Sequence, residues 1–332
     1  MFQSDLGFAR VNKIEELDRI DDYVYCFQLA DDEMPGFFTG DGGVFTHNCF
    51  GYLSYRNAKF GKIDSHMAVC SVARSTLRDA IHTANNRGFR VVHGIIDSLW
   101  LTKRKATMKD YEELQKEIEA STHFKLSIEG IYKWIVFLPS KINASTQVAN
   151  RYFGCFERTN EVKVRGIEYR RHDTPAYFKK SQGKLLKELA KCDSVSELRE
   201  CAMSVGVSIF EQHAKMLENH EVPAFELLVR KRLSKDPENY SSQRLLSVGA
   251  ANQLEMGGRK LRAGQCVSYV ITNYASRGKR TAPEELVGET SNEYDSERYI
   301  ELLADCCATV LEPFGVTKEM LLARSSSLLQ WR

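Results

Sequence analysis

Residues 89–101 of the chain read FRVVHGIIDSLWL, and this stretch decides the fold. β-Branched and aromatic residues dominate it, and the break at His93-Gly94 divides it into two segments of strand character. It therefore predicts two strands or a hairpin. A helical pattern precedes it at residues 65–86, and an amphipathic helix follows at residues 108–121. The order helix, hairpin, helix, strands predicts an α+β layer built on an antiparallel sheet.

The rest of the chain divides into a strand-rich part and a helical part. Strand character returns at residues 124–138, 151–156 and 162–169. From about residue 177 onward the apolar spacing is mostly helical. The predicted helices are residues 185–191, 195–205, 214–218, 242–256 and 293–311, with a strand-like insert at 265–271.

Composition indicates a globular protein of two domains or three small ones, with 332 residues, 43% apolar and 27% charged. The longest apolar run, from Trp134 to Leu138, is far too short to cross a bilayer, and residues 1–10 lack the pattern of a signal peptide. We therefore expect no membrane partner and a cytoplasmic location. The nine cysteines form no CxxC pair, which favours reduced core thiols over a zinc or disulfide framework.

Charge is distributed unevenly along the chain. Residues 1–48 contain three Lys/Arg and ten Asp/Glu, and the totals of 46 and 44 therefore leave 43 basic and 34 acidic residues in 49–332. A basic body suits a polyanionic partner, although this balance is common in unrelated proteins. The acidic head is rich in turn formers and short β-prone runs, and 48 residues are too few to bury a core alone.

The tripeptide His47-Asn48-Cys49 lies where the charge changes sign. An asparagine side chain can attack its own main-chain carbonyl and cut the chain after itself, and a neighbouring histidine can transfer the proton. A following cysteine is a good acyl acceptor. As a bare tripeptide the same residues would form an ordinary surface turn.

The run from Val24 to Asn48 resembles the C-terminal splicing block of inteins, and the resemblance covers residues 5–49. Inteins often have Asp where this chain has Cys26. The resemblance implies that Asn48 cyclises, that His47 assists, and that Cys49 accepts the upstream extein. The first intein nucleophile would then lie in an N-terminal polymerase/intein half, either as a separate split-intein partner or upstream in the same gene.

The residues after the junction, CFGYLSY followed by AKFG at 58–61, resemble the end of the fingers motif of archaeal family B DNA polymerases, a common insertion point of inteins. The run from His93 to Ser98 (HGIIDS) resembles the palm motif YGDTDS of that family, with Ile95 in place of the first Asp. Asp97 stands where the family has its catalytic metal ligand. The resemblance implies a two-ion Mg²⁺ site, with another carboxylate from a segment upstream.

Two further segments resemble primer-holding motifs of the family. Residues 149–154 (ANRYFG) are similar to KKRYxG without its two lysines, and residues 163–173 (KVRGIEYRRHD) are similar to KGxExxRRD. Cationic donors bind phosphates, and glycine permits close backbone approach. The nucleic-acid-binding residues implied here are Arg151, Tyr152, Arg165, Gly166 and Arg171.

The helical part from about residue 177 onward resembles the thumb of the family. The resemblance implies that Lys231 and Arg232 bind duplex phosphates irrespective of base sequence. The stretch from Ser325 to Arg332 resembles a sliding-clamp-binding peptide, although a frayed tail has the same composition. The implied domains are an intein C-terminal segment (1–48), the end of the fingers with the palm (49–176) and the thumb (177–332).

The function implied is template-directed DNA synthesis from a primer-template and dNTPs, as the C-terminal part of a family B polymerase matured by splicing. Because Ile95 replaces an acidic residue, the alternative is an inactive polymerase relative that serves as a DNA-binding or structural subunit. A third reading makes protein splicing the principal activity of the isolated chain.

Overall fold

The computed structural model describes residues 36–39, 44–47, 53–54, 62–95, 98–140, 147–288 and 292–329. Contacts divide the chain into two compact units, Met1–Ser127 and Ile128–Arg332. They are called unit 1 and unit 2 below. No helix in the described ranges is long and apolar enough to cross a membrane.

Unit 1 begins, in its described part, with a short hairpin of β1 (Gly36–Thr39) and β2 (Val44–His47). The two strands are antiparallel and pair Gly36 with His47 and Thr39 with Val44. The aromatic and β-branched residues of both strands, GFFT and VFTH, favour this pairing.

A helix–hairpin–helix arrangement follows, as the sequence predicts. Helix α1 (Ile63–Asn86) is followed, two residues after its end, by Gly88, whose φ of +75° suits glycine. Strands β3 (Arg90–Ile95) and β4 (Ser98–Thr102) are antiparallel, and helix α2 (Met108–Thr122) packs beside α1. The small core that joins them consists of Ala80, Ala84, Phe89, Leu114 and Ile118.

The start of α2 shows how local chemistry sets an element boundary. Thr107 donates its backbone N–H to the Asp110 carboxylate at 2.7 Å, which forms a capping box. The Thr107 hydroxyl donates to the same carboxylate at 2.7 Å, and this bond, followed by the backbone bond, lowers the pKa of Asp110. The helix ends at His123, which has a left-handed φ of +61°.

Unit 2 opens with an antiparallel sheet in the order β5-β6-β7. Its strands are β5 (Tyr132–Pro139), β6 (Gln147–Phe156) and β7 (Val162–Arg165). A second sheet of order β10-β9-β8 comprises β8 (Val229–Arg232), β9 (Cys266–Ile271) and β10 (Thr281–Pro283). The α-helices are α3 (Ala176–Leu189), α4 (Val195–Cys201), α5 (Val207–Glu218), α6 (Leu246–Met256), α7 (Ser296–Leu311) and α8 (Lys318–Leu329).

Helix α7 lies at the centre of the unit 2 core and buries ten of its sixteen residues. Its Tyr299 is fully buried, and the hydroxyl donates to Leu227 O and accepts from the Ile271 N–H, both at 2.9 Å. A buried polar group with both bonds made adds specificity to the packing at little cost. This core continues from the first sheet into the helices. The predicted palm–thumb boundary at residue 176 therefore stays a prediction.

The differences from the sequence expectations lie mainly at charged or irregular segments. Residues 123–131 form no strand, and 168–170 form a 3₁₀ turn, Glu168–Arg170, instead of extending β7. Strands β8 and β10 and helix α8 were not predicted. Among the described residues all seven cysteines are free thiols.

Candidate nucleic-acid interface

The residues predicted to perform chemistry fall largely outside the described ranges. Asn48, Cys49 and Asp97 lie outside them, and of His47 only the backbone is described, as the last residue of β2. The β3–β4 pairing joins Ile95 to Ser98. Asp97 is thus one of the two residues between paired partners, and its role as a metal ligand stays a prediction.

The β3–β4 hairpin is anchored on both sides of that connection. Gly94 pairs with Leu99, and a β-carbon at Gly94 would lie 3.1 Å from the Leu99 Cδ2 atom. The rings of His93 and Trp100 lie 5.2 Å apart, and Leu99 also packs against the small core. The side chains flanking residues 96 and 97 are therefore held by packing.

In unit 2 the structure joins the two segments that the sequence matched to separate primer-holding motifs. Gly166 has a φ of +65°, and a β-carbon there would lie 1.9 Å from the Asn150 carbonyl oxygen and 3.0 Å from Arg151 Cγ. Only glycine permits this approach of residue 166 to β6. Beside it, β6 and β7 pair Tyr152 with Arg165.

The side chains of β6 at this point are fixed by their neighbours. Arg151 donates from Nη1 to the Pro139 carbonyl oxygen at 2.5 Å. Tyr152 is buried, and its ring centroid lies 5.6 Å from that of Phe137. Tyr152 is therefore packed inside the structure, with Arg151 preceding it on β6 and Arg165 paired opposite it on β7.

The segment after β7 is anchored by a residue that sequence reasoning missed. Gln182 of α3 is fully buried, accepts the Tyr169 N–H at 2.6 Å and donates to the Cys306 carbonyl at 2.8 Å. It also donates to the Glu168 carboxylate at 3.2 Å. A lone glutamine inside a helical pattern carries no sequence signal for this role.

The end of the same segment connects to β8 through Asp173, which was not predicted as a site residue. Arg171 donates to Asp173 through Nε at 2.9 Å and Nη2 at 2.8 Å, and Lys231 Nζ contacts Asp173 Oδ2 at 2.5 Å. Burial opposes ionisation of Asp173, but these hydrogen bonds outweigh it and lower its pKa to about 2. The bond to Asp173 likewise raises the pKa of Arg171. Asp173 is the last residue of the run RRHD, and this run was the sequence signal that could have identified it as a site residue.

Strand β8 is an edge strand with three successive exposed cations, Arg230, Lys231 and Arg232. Arg232 donates from Nε to the Gly264 carbonyl at 3.0 Å. Charged residues on an edge strand discourage pairing with other chains, and this protection explains part of the cation pattern without any bound ligand. The described residues contain no group of three or more His, Cys, Asp or Glu that could hold a metal ion.

The geometry has counterparts in known proteins. A family model described as DNA polymerase family B matches residues 53–314. The DNA polymerase of Thermococcus kodakarensis is 26% identical over 331 residues, which cover 97% of this chain and 18% of that protein. The DNA polymerase of Thermococcus gorgonarius is 24% identical over 287 residues, covering 84% of this chain and 35% of that protein.

A solved structure agrees with these matches. The family B DNA polymerase from Pyrobaculum calidifontis superposes with a TM-score of 0.55 at 25% identity, covering 81% of this chain and 32% of that one. The chain thus spans about a third or less of the length of the proteins it is similar to.

Proposed function

This chain belongs to DNA polymerase family B, and from that premise we propose that it supplies the palm and thumb parts of a DNA-directed DNA polymerase. The observation that carries the proposal is the contact of Gly166 with Asn150 and Arg151. Through it, two motifs separated by eight residues in the sequence become adjacent strands that each carry a cation, Arg151 and Arg165, and so form a basic surface region. Such a surface binds phosphates irrespective of base sequence, as a replicative polymerase must.

The proposed catalytic contribution of this chain is one carboxylate, that of Asp97, which lies in the sequence between strands β3 and β4. Asp97 would be one of the ligands of Mg²⁺, which would supply charge neutralisation at the triphosphate and at the primer 3′-hydroxyl. A single carboxylate cannot hold two ions, so we propose that a segment N-terminal to residue 49 supplies the rest. The incoming dNTP would then bind between that segment and the hairpin.

Primer extension tests this assignment. The chain is co-expressed with an upstream family B polymerase segment that carries the other carboxylate, and extension of a labelled primer is measured. We expect Asp97→Asn to lower the rate by at least about 100-fold, since a lost metal ligand removes charge stabilisation of the transition state. Asp79→Asn, an exposed helix position, is the matched control. Extension that survives Asp97→Asn would refute the site.

We further propose that residues 1–48 are the C-terminal segment of an intein, removed by cyclisation of Asn48. Two observations support this. Strand β2 ends at His47, next to the scissile bond. The match to the Thermococcus kodakarensis protein covers 97% of this chain and must therefore include part of residues 1–48. The match to the Thermococcus gorgonarius protein covers 84% of this chain, which fits a match that omits residues 1–48. The matched segment is 18% of the Thermococcus kodakarensis protein and 35% of the Thermococcus gorgonarius protein, so the first protein is about twice as long as the second. An inserted element would account for the greater length.

Mass spectrometry tests the splicing proposal. When the chain meets its upstream half, the product should lose residues 1–48 and gain the upstream extein on Cys49. Asn48→Ala should block release of the segment, because no side-chain amide remains to attack the carbonyl. Cys49→Ala should permit cleavage after Asn48 without ligation. An unchanged mass in the unsubstituted pair would contradict splicing.

One observation favours the alternative of an inactive, DNA-binding relative: Ile95 occupies a position that is acidic in the palm motif. The primer-extension experiment separates the two proposals. Duplex binding without any extension, in the presence of an upstream segment that is active with another C-terminal half, would favour the binding subunit.

Clamp binding through the stretch from Ser325 to Arg332 also stays a proposal. The backbone is helical up to Leu329, and the side chains of 325–332 lie outside the described residues. Deletion of residues 328–332 should abolish clamp binding, and unchanged affinity would end the idea.

A further inference from the structure

The contacts of Asp173 set it apart from the other surface carboxylates of unit 2. It accepts two hydrogen bonds from Arg171 along one edge of the guanidinium and a third bond from Lys231, 58 residues further along the chain. One carboxylate thus ties the turn that precedes α3 to the edge strand β8. A bidentate arginine–carboxylate contact fixes orientation as well as distance.

The exposure of the three side chains shows which of them faces solvent. Asp173 is 24% exposed, whereas Arg171 and Lys231 are 50% and 45% exposed. The carboxylate therefore lies beneath two cations that remain accessible. In the described ranges Arg171 uses Nε and Nη2 on Asp173, and Lys231 uses one of its three N–H donors there. Both cations retain donors that a phosphate could accept.

We propose that Asp173 is a positioning residue that holds Arg171 and Lys231 as one preformed pair of phosphate donors for the DNA backbone. This inference rests on the proposed function and names the residue that organises its DNA contacts. Long cationic side chains lose rotamer freedom when they bind a phosphate, and a carboxylate that has already ordered them reduces that loss. Asp173 thus acts through its two partners and touches no DNA.

Electrostatics alone predicts the opposite change in DNA affinity when the Asp173 carboxylate is neutralised. Removing one negative charge from a basic surface strengthens its attraction to DNA. If Asp173 only diluted the positive charge, its neutralisation would tighten binding. If it positions the two cations, neutralisation releases them and weakens binding in spite of the added net charge.

The experiment measures binding of the full chain to a fluorescent primer-template duplex by anisotropy, at several salt concentrations. Asp173→Asn is compared with Asp193→Asn, which removes the same charge from a carboxylate that pairs with Lys133 at 2.8 Å in the same unit. We expect Asp193→Asn to bind unchanged or slightly tighter. We expect Asp173→Asn to bind about 5- to 10-fold more weakly, with a salt slope lower by about one to two phosphate contacts.

A background substitution separates positioning from a general loss of structure. With Lys231→Gln already present, Asp173→Asn should cost clearly less affinity, because one of the two side chains it positions is gone. An undiminished cost in that background, or Asp173→Asn binding as tightly as Asp193→Asn, would overturn the role. If Asp173→Asn does not fold, Arg171→Gln and Lys231→Gln are combined instead; additive losses of affinity would then overturn it, and non-additive losses would support it.

The outcomes also distinguish this inference from the proposed function. If the unsubstituted chain binds no duplex, the proposed DNA surface fails and the role of Asp173 fails with it. If the unsubstituted chain binds and Arg151→Gln weakens binding while Asp173→Asn does not, the DNA surface stands and only the positioning role is refuted.

Discussion

Helices α1 and α7 show how differently the two units are stabilised. Helix α1 of unit 1 has 24 residues and buries only Ala80 and Ala84, whereas α7 of unit 2 buries ten of its sixteen. Unit 1 leaves Ile63 and Val72 of α1 each 59% exposed. Large apolar side chains in such numbers on one helix are typical of a surface that another segment covers.

The difference bears directly on function. The proposed catalytic carboxylate, Asp97, belongs to the unit with the small core, and the proposed DNA-holding cations belong to the unit with the large one. A two-stranded sheet with two helices is marginal alone, whereas unit 2 has two sheets and a continuous core. We therefore expect DNA binding to be measurable on the isolated chain and catalysis to need the upstream half.

The largest expected loss of stability comes from core truncation. Phe153 of unit 2 is fully buried and lies edge-to-face with Trp134 and Phe314, at centroid distances of 6.1 and 6.5 Å. Phe153→Ala should cost about 3–5 kcal/mol, because a rigid core cannot fill the cavity. Phe89→Ala in unit 1 should cost only about 2–3 kcal/mol, since Val91 and Tyr111 are partly exposed and can close the gap.

Urea unfolding followed by hydrogen exchange of peptides from each unit measures both losses. Phe89 also packs edge-to-face on Tyr111, so Phe89→Leu, which keeps most of the apolar volume, is the control for that ring contact. A larger loss for Phe89→Ala than for Phe153→Ala would reverse the comparison.

Glycine substitution gives the next largest loss of stability. Gly88 and Gly166 both have left-handed φ values, +75° and +65°. A β-carbon at Gly88 meets nothing within 4 Å, so Gly88→Ala should cost only the backbone strain, about 1 kcal/mol. At Gly166 it meets the Asn150 carbonyl oxygen at 1.9 Å. Gly166→Ala should therefore cost about 2–4 kcal/mol and also weaken duplex binding by displacing Arg151.

Thermal unfolding and duplex anisotropy measure the two effects of Gly166→Ala. If Gly88→Ala and Gly166→Ala destabilise the chain equally, the close approach of residue 166 to β6 does not hold in solution. Unchanged DNA affinity of a folded Gly166→Ala variant would separate Gly166 from the proposed DNA surface.

The same residues show what sequence could predict. The β3–β4 hairpin followed from a run of β-branched and aromatic residues, and the end of α1 followed from Gly88, because both signals are local. The assignment of Gly166 to a primer-holding segment came from a motif, but its contact with Asn150 depends on strand pairing. Asp173 and Lys231 are 58 positions apart, and no local pattern joins them.

The missed strands have a similar physical cause. Strand β8 reads VRKR, without the alternation of a half-buried strand, because it lies at a sheet edge and keeps its cations in solvent. Strand β10 is three residues long and ends in proline. Their strand conformation comes from pairing with β9, a tertiary effect that intrinsic propensity does not contain.

The smallest expected effect is a change with pH in the stability of unit 2 relative to unit 1. His213 of unit 2 packs against Tyr177 in a tilted arrangement at a centroid distance of 5.1 Å, and its Nδ1 is buried with no hydrogen-bond partner among the described residues. Burial, with a smaller contribution from Lys184, lowers its pKa from 6.5 to about 4. Between these values the unfolded chain binds a proton that the folded chain does not. Stability from this group is therefore complete above pH 6.5 and falls as pH drops towards 4.

Unit 2 should accordingly lose about 1–3 kcal/mol between pH 7 and pH 4 through His213, the range allowing for partial solvent exposure. His213→Phe keeps the ring contact with Tyr177 and removes the titration, so it should flatten this part of the stability curve. The buried residues of the unit 1 core are all apolar, and Phe89 and its neighbours should show no such loss of their own. Urea midpoints of both variants from pH 7 to pH 4 test this. If the urea midpoints of the original chain and of His213→Phe change in parallel with pH, His213 is solvated in the folded state. The stability of unit 2 then does not depend on pH through this residue.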